Sequence, residues 1–193
     1  MIIEERVERS QYVKLITWIV SFIILMAGIV FPVLILWVNQ DMMSKVIGAS
    51  VLCLIFFTLI FTVAYQPRKL ILSETHIIME RILGQVYISY SDITDISLYH
   101  RENVAEIRIF GIGGLGGYIG KFYNSKIGFY TAYVGDYSQA FLIKINNREK
   151  YVMSCRHAEK IVEEVKSTVE AIRKSYVFVN ISDSKSCDCY LWQ

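Results

Sequence analysis

The chain has 193 residues, room for one soluble domain and a membrane anchor but not for two large domains. Hydrophobic residues make up 54% of it, and the mean hydropathy is +0.39, an excess concentrated near the N-terminus, where it points to membrane spans. A formal net charge of only +2 excludes nucleic-acid binding driven by bulk charge.

The first 14 residues read as a short N-terminal segment carrying Arg6, Arg9 and Lys14. From Leu15 to Val38 no residue is charged. That run is long enough for a bilayer, which needs about 20 apolar residues. Trp18 and Trp37 lie near its ends, as interfacial aromatics do, and Pro32 is tolerable in a membrane helix. A polar link, Asn39 to Lys45, leads to a second uncharged run, Val46 to Tyr65, stopped by Pro67. So short a link makes residues 15–65 an antiparallel helix hairpin. A cleaved signal peptide is disfavoured: the first apolar run is too long and lacks a small-residue cleavage site. Arg6, Arg9, Lys14, Arg68 and Lys69 flank the hairpin outside, whereas the link carries only Lys45. The positive-inside rule places both termini in the cytoplasm. The expected partner is therefore the lipid bilayer, with the soluble part in a reducing compartment.

After Pro67 the hydrophobic period changes, and residues 66–175 read as one domain. Leu70–Leu72 and Ile77–Met79 flank the turn Ser73-Glu74-Thr75, and Gly84 marks the next turn. "VYIS", "ITDISLY", "AEIRIF", "FYTAYV", "AFLIKI" and "YVMS" follow as short strands, the last two separated by a polar turn at 146–149. Seven or eight strands at this spacing suggest a sandwich or open barrel. The period then becomes helical. Ala158, Ile161, Val162, Val165, Val169 and Ile172 form an apolar stripe on a helix over about Arg156 to Ser175. The tail 176–193 begins apolar and ends "SDSKSCDCYLWQ"; a short added strand and disorder both fit it.

This order resembles the bacterial pleckstrin-homology-like (PH-like) domain proteins with an N-terminal two-helix membrane anchor. Carrying the resemblance are Leu70 to Ile78, Tyr90-Ser91-Asp92-Ile93, the Gly111 to Phe122 run with Tyr130-Thr131-Ala132-Tyr133, and Tyr151-Val152-Met153-Ser154 before a helix. It implies a strongly bent antiparallel sheet of about seven strands capped by a C-terminal helix, and no particular ligand. Eukaryotic relatives bind inositol phosphates through basic residues in the first hairpin loop; here that loop, Ser73-Glu74-Thr75, has none.

The stretch "RIFGIGGLGGYIGKF", Arg108 to Phe122, needs its own account. Gly111, Gly113 and Gly116 fit G-x-G-x-x-G, but a dinucleotide site needs a helix next, and the residues that follow carry no helical stripe. The uncharged run is too short to span a membrane. A glycine-permitted bend between strands remains. Tyr118, Ile119, Phe122 and Tyr123 interleave there with Lys121 and Lys126, a mixture suited to a bilayer interface or a partner groove. These six are the candidate contact residues, for lipid headgroups or for the hairpin itself.

No constellation supports catalysis. His76, His100 and His157 are scattered, Asp92 and Asp95 sit in or beside a turn, and no nucleophile or zinc motif occurs. Cys53, Cys155, Cys187 and Cys189 form no secreted disulfide framework, and Cys-x-Cys alone falls short of the four ligands zinc wants. No catalytic, metal or cofactor residue is expected, and no nucleic acid. The expected role is a non-catalytic module for protein interaction or homo-oligomeric assembly at the cytoplasmic face of a bacterial inner membrane. The alternative is lipid-headgroup sensing through the Gly-aromatic loop 111–130.

Overall fold

The structure is a computed structural model that describes residues 3–38, 41–101, 106–146 and 149–187. Ala105, Asn147, Arg148, Cys189 and the start of the helix link lie outside these residues. Two helices long and apolar enough to cross a membrane come first: α1, Gln11–Val38, and α2, Met42–Ala64. Ser10 caps α1 through its hydroxyl, which accepts from the Val13 amide at 3.2 Å. Gly28 lies where a Cβ would already touch Ile55, and Gly48 is buried, so glycine sets how closely the helices pack. Most other apolar side chains of the pair face outward, which in water would be untenable and in lipid is required.

Among the described residues, ten strands form two sheets. The first has the order β1-β2-β3-β4, from β1 (Ile3–Arg6), β2 (Pro67–Leu72), β3 (His76–Arg81) and β4 (Gln85–Ser89), all antiparallel. The second contains β5 (Ile93–Tyr99), β6 (Glu106–Gly113), β7 (Tyr118–Asn124), β8 (Gly128–Val134), β9 (Ala140–Ile145) and β10 (Lys150–Ser154). Its order is β5-β9-β10-β8-β7-β6. All its pairs are antiparallel except β8 with β10. Helix α3, Ala158–Cys187, closes the domain.

The bent sheet with a capping C-terminal helix is the expected PH-like architecture, with three details added. The described residues form ten strands in two sheets where about seven are expected, one pair is parallel, and α3 continues through Cys187 into the tail, for which a strand and disorder both fit the sequence. The extra strand of the first sheet is β1, whose partner lies beyond both apolar helices in sequence.

Burial explains the closure. On β9, Phe141 and Ile143 point to one face and Leu142 to the other, and all three are buried. The first face, with Met153, meets Leu70, Ile77 and Met79 of the first sheet and Ile161, Val165 and Val169 of α3. On the second face Leu142 and Val152 join Tyr99, Phe122, Tyr130 and Tyr137 in an aromatic cluster. A strand buried on both faces reads as a continuous apolar run, which is what "AFLI" is.

Candidate membrane-facing site

The sequence between α2 and β4 builds the lower edge of the domain. Pro67 ends the helical register and opens β2 at once. Gly84, at φ +82°, lets β3 turn back, and the Arg81 amide donates to its carbonyl at 3.2 Å. The turn carries Ile82 and Leu83, both exposed, where polar residues are usual. Their position accounts for this: the Leu83 amide donates to the carbonyl of Ala64, the last residue of α2, at 2.8 Å. Ile82 shares a shallow cleft with Leu59, Ile60 and Val63 of α2. The turn therefore continues the apolar surface of the hairpin.

Arg81 stands above this turn. Its guanidinium lies between the rings of Tyr65 and Tyr133, 5.5 and 5.3 Å from their centroids. Among the described residues no carboxylate pairs with it, and its Nε is buried without a hydrogen-bond partner. A buried donor left unpaired costs about 1–3 kcal/mol, so such a nitrogen marks a place where a partner would be gained. Arg81 lines a cavity of about 180 Å³ with Phe61 of α2, Tyr65 just after it, Phe110 and Ile112 of β6, and Tyr133 of β8.

The glycine stretch forms the other side of the junction. β6 and β7 run through it as strands, joined by a tight turn closed by the Gly114 amide donating to the Gly117 carbonyl at 2.9 Å. Gly111 and Gly120 face each other across the pair. A Cβ on Gly111 would lie 2.1 Å from the Ile119 carbonyl oxygen, so this close approach needs glycine on both strands. The turn docks on α1, where the Gly116 amide donates to the Thr17 hydroxyl at 2.8 Å. Gln66 packs against Gly116 from the α2 side.

The six expected contact residues divide. Ile119 and Phe122 are buried, and Phe122 stacks on Tyr130 with 5.9 Å between ring centroids. Tyr118 is half-buried, its ring edge-on to Tyr137 at 4.8 Å. Tyr123 is half-buried beside Phe129, and Lys121 and Lys126 are exposed. The aromatic side chains thus turn largely toward the core, while the glycine backbone touches the hairpin. Sequence reasoning missed Thr17, Gln66, Arg81, Ile82 and Leu83. The readable signal was an apolar pair, Ile82-Leu83, inside a turn.

Beside the aromatic cluster, Glu106 is only 3% exposed and pairs with Arg101 at 2.7 Å. Tyr137 donates to Glu106 at 3.0 Å, and Arg101 lies over the rings of Tyr118 and Tyr137. Burial first, and Glu106 second, pushes the Tyr137 hydroxyl well above its ordinary value. The network ties β6 to the segment after β8. The scattered polar residues also have local roles. Asp95 pairs with Lys144 across β5 and β9 at 2.9 Å, His157 sits 3.1 Å from Glu5, and His76 contacts Thr75 at 2.7 Å.

With this geometry in view, a comparison with family models decides the identity: the model described as "Bacterial PH domain" matches residues 68–169, more than half of the chain. The chain belongs to the bacterial PH-domain family. No curated protein and no solved structure matches it. The matched range begins in β2 and ends in α3, so β1 and the hairpin are additions that this chain attaches to its PH domain.

Proposed function

We propose that this is a non-catalytic, membrane-anchored PH-domain module for protein interaction or assembly at the cytoplasmic face of a bacterial membrane. The observation that carries the reading is the junction. β1 pairs with β2, the Val7 amide donates to Arg68, the Ser10 amide to Gly135 and the Arg156 amide to Arg6. The PH domain is fastened to both ends of its anchor and is held at the bilayer as one body with it. Both flanks of the hairpin then lie on one side, and that side carries Arg6, Arg9, Lys14, Arg68 and Lys69, which supports the cytoplasmic orientation.

Held there, the domain offers the outer strand β6, where Ile107 and Ile109 are each 55% exposed. An edge strand with exposed apolar side chains is a template for a strand from another chain. A photo-crosslinking residue replacing Ile109 in the full chain, in native membranes, tests this. The expected result is a discrete protein adduct, absent when the same residue replaces exposed Lys166 on α3. An adduct at twice the chain mass identifies a homo-oligomer, and one of another mass a different partner. Lipid adducts alone, or none, would contradict the reading.

A further inference from the structure

The cavity at Arg81 has features that strand pairing at β6 does not use, and the inference from it stands independently of a protein partner. Its location comes first. Phe61 lies three residues before Ala64, so the cavity reaches about 4.5 Å below the end of α2. On the other helix, Thr17 holds the glycine turn within the first turn of the uncharged run. Both contacts place the cavity at the level where headgroups meet acyl chains.

Its chemistry is two-sided. Phe61, Phe110 and Ile112 are apolar, and Phe110 is 77% exposed at the side of the cavity. At the other side stands one guanidinium, fixed between two tyrosine rings, with a buried Nε that donates to nothing. Stacking occupies the faces of the guanidinium plane and leaves its N–H edges for an acceptor in that plane, the arrangement that suits a phosphate. None of the residues lining the cavity is acidic. A headgroup ammonium would find no partner there, whereas a phosphodiester without a neighbouring cation would.

The geometry points to a phospholipid site: Arg81 holds the phosphate of an anionic phospholipid, and one acyl chain lies along Phe61, Phe110 and the apolar surface of α2. The site is distinct from the first hairpin loop, Ser73-Glu74-Thr75, on the opposite end of β3 from Arg81. It exists only because the PH domain is docked on the hairpin, since each contributes one wall.

The test is native mass spectrometry of the full chain released from nanodiscs of equimolar phosphatidylcholine and phosphatidylglycerol. The expected result is a single retained phosphatidylglycerol. Arg81→Gln lowers its occupancy at least about tenfold, as losing a charge-assisted bidentate pair should. Phe110→Glu, at a side chain 77% exposed, does the same by setting a carboxylate at the cavity. Lys160→Gln, remote on α3, leaves the occupancy unchanged. Equal retention of the two lipids, no retained lipid, or undiminished occupancy in Phe110→Glu would overturn the assignment. So would inorganic phosphate raising the melting temperature of the detergent-solubilised chain as much as phosphatidylglycerol does, which would mark a free-phosphate site.

Discussion

The thiol of Cys155, buried where β10 gives way to α3, is pushed up to about 12. Burial is the main cause, and a backbone hydrogen bond from His157 opposes it only in part. At pH 8 this leaves about a thousandfold less thiolate than an ordinary cysteine has, so a chain in which Cys155 is the only cysteine should resist maleimide until it unfolds. Rapid labelling of the folded chain would contradict the packing. The same burial acts on tyrosines: Tyr90 and Tyr151 are pushed up to about 12, by burial first and by Glu164 and Glu149 second. Each of these acids is neutral when folded and ionises more readily when unfolded. Their contribution is therefore complete below the unfolded values, about 8.5 for Cys and 10 for Tyr, and is lost as pH rises toward 12. Thermal melts in nanodiscs should be level from pH 7 to about 8.5 and then fall, with a shallower fall in Tyr137→Phe. A melting temperature that rises above pH 9 would contradict this.

The β6–β7 hairpin joins a sequence oddity to a structural need. Its glycines resemble a phosphate-binding motif only in spacing; two of them, Gly111 and Gly120, let two strands and the hairpin's own turn approach closely. Gly120→Ala would place a Cβ 2.2 Å from the Phe110 carbonyl oxygen at a φ of +125°. The expected cost is about 1–3 kcal/mol of strain, read as a lower melting temperature and faster amide exchange in β6 and β7. Exchange rates in these strands equal to the wild type's would count against the approach. Thr17→Val removes the hydroxyl that receives the Gly116 amide and should speed exchange at Gly114 to Gly117 while leaving α3 unchanged. Elements with local patterns were legible in the sequence: both apolar helices, the stripe of α3 and the buried run of β9. β1 was not legible. "IEER" carries three charges and has no local partner, and only pairing with a strand more than sixty residues away makes it a strand. The Arg81 cavity was hidden for the same reason, because its walls come from α2, β3, β6 and β8 and no motif spans them.

At the scale of the whole molecule, the apolar helix pair and the PH domain are interwoven. β1 lies in the domain's first sheet, the two apolar helices follow it, and the chain then returns as β2 to pair with β1. The helix pair is thus an insertion between two neighbouring strands, and if it spans a bilayer both its flanks lie on one side. The proposed sidedness draws on the basic residues that flank the helices and on the pairing of β1 with β2. The protein-interaction and phospholipid readings both depend on it, since each needs the domain held in one orientation to the membrane. The most direct test is disulfide trapping of Glu4→Cys with Ile71→Cys, opposite each other in β1 and β2, in a chain otherwise free of cysteine and embedded in membranes. Opposed residues of an antiparallel pair lie about 4.5–5.5 Å apart at Cα, within disulfide reach. The account predicts near-complete intramolecular bonding under mild oxidation. Two cysteines that stay reduced and label from opposite sides of the membrane would contradict it.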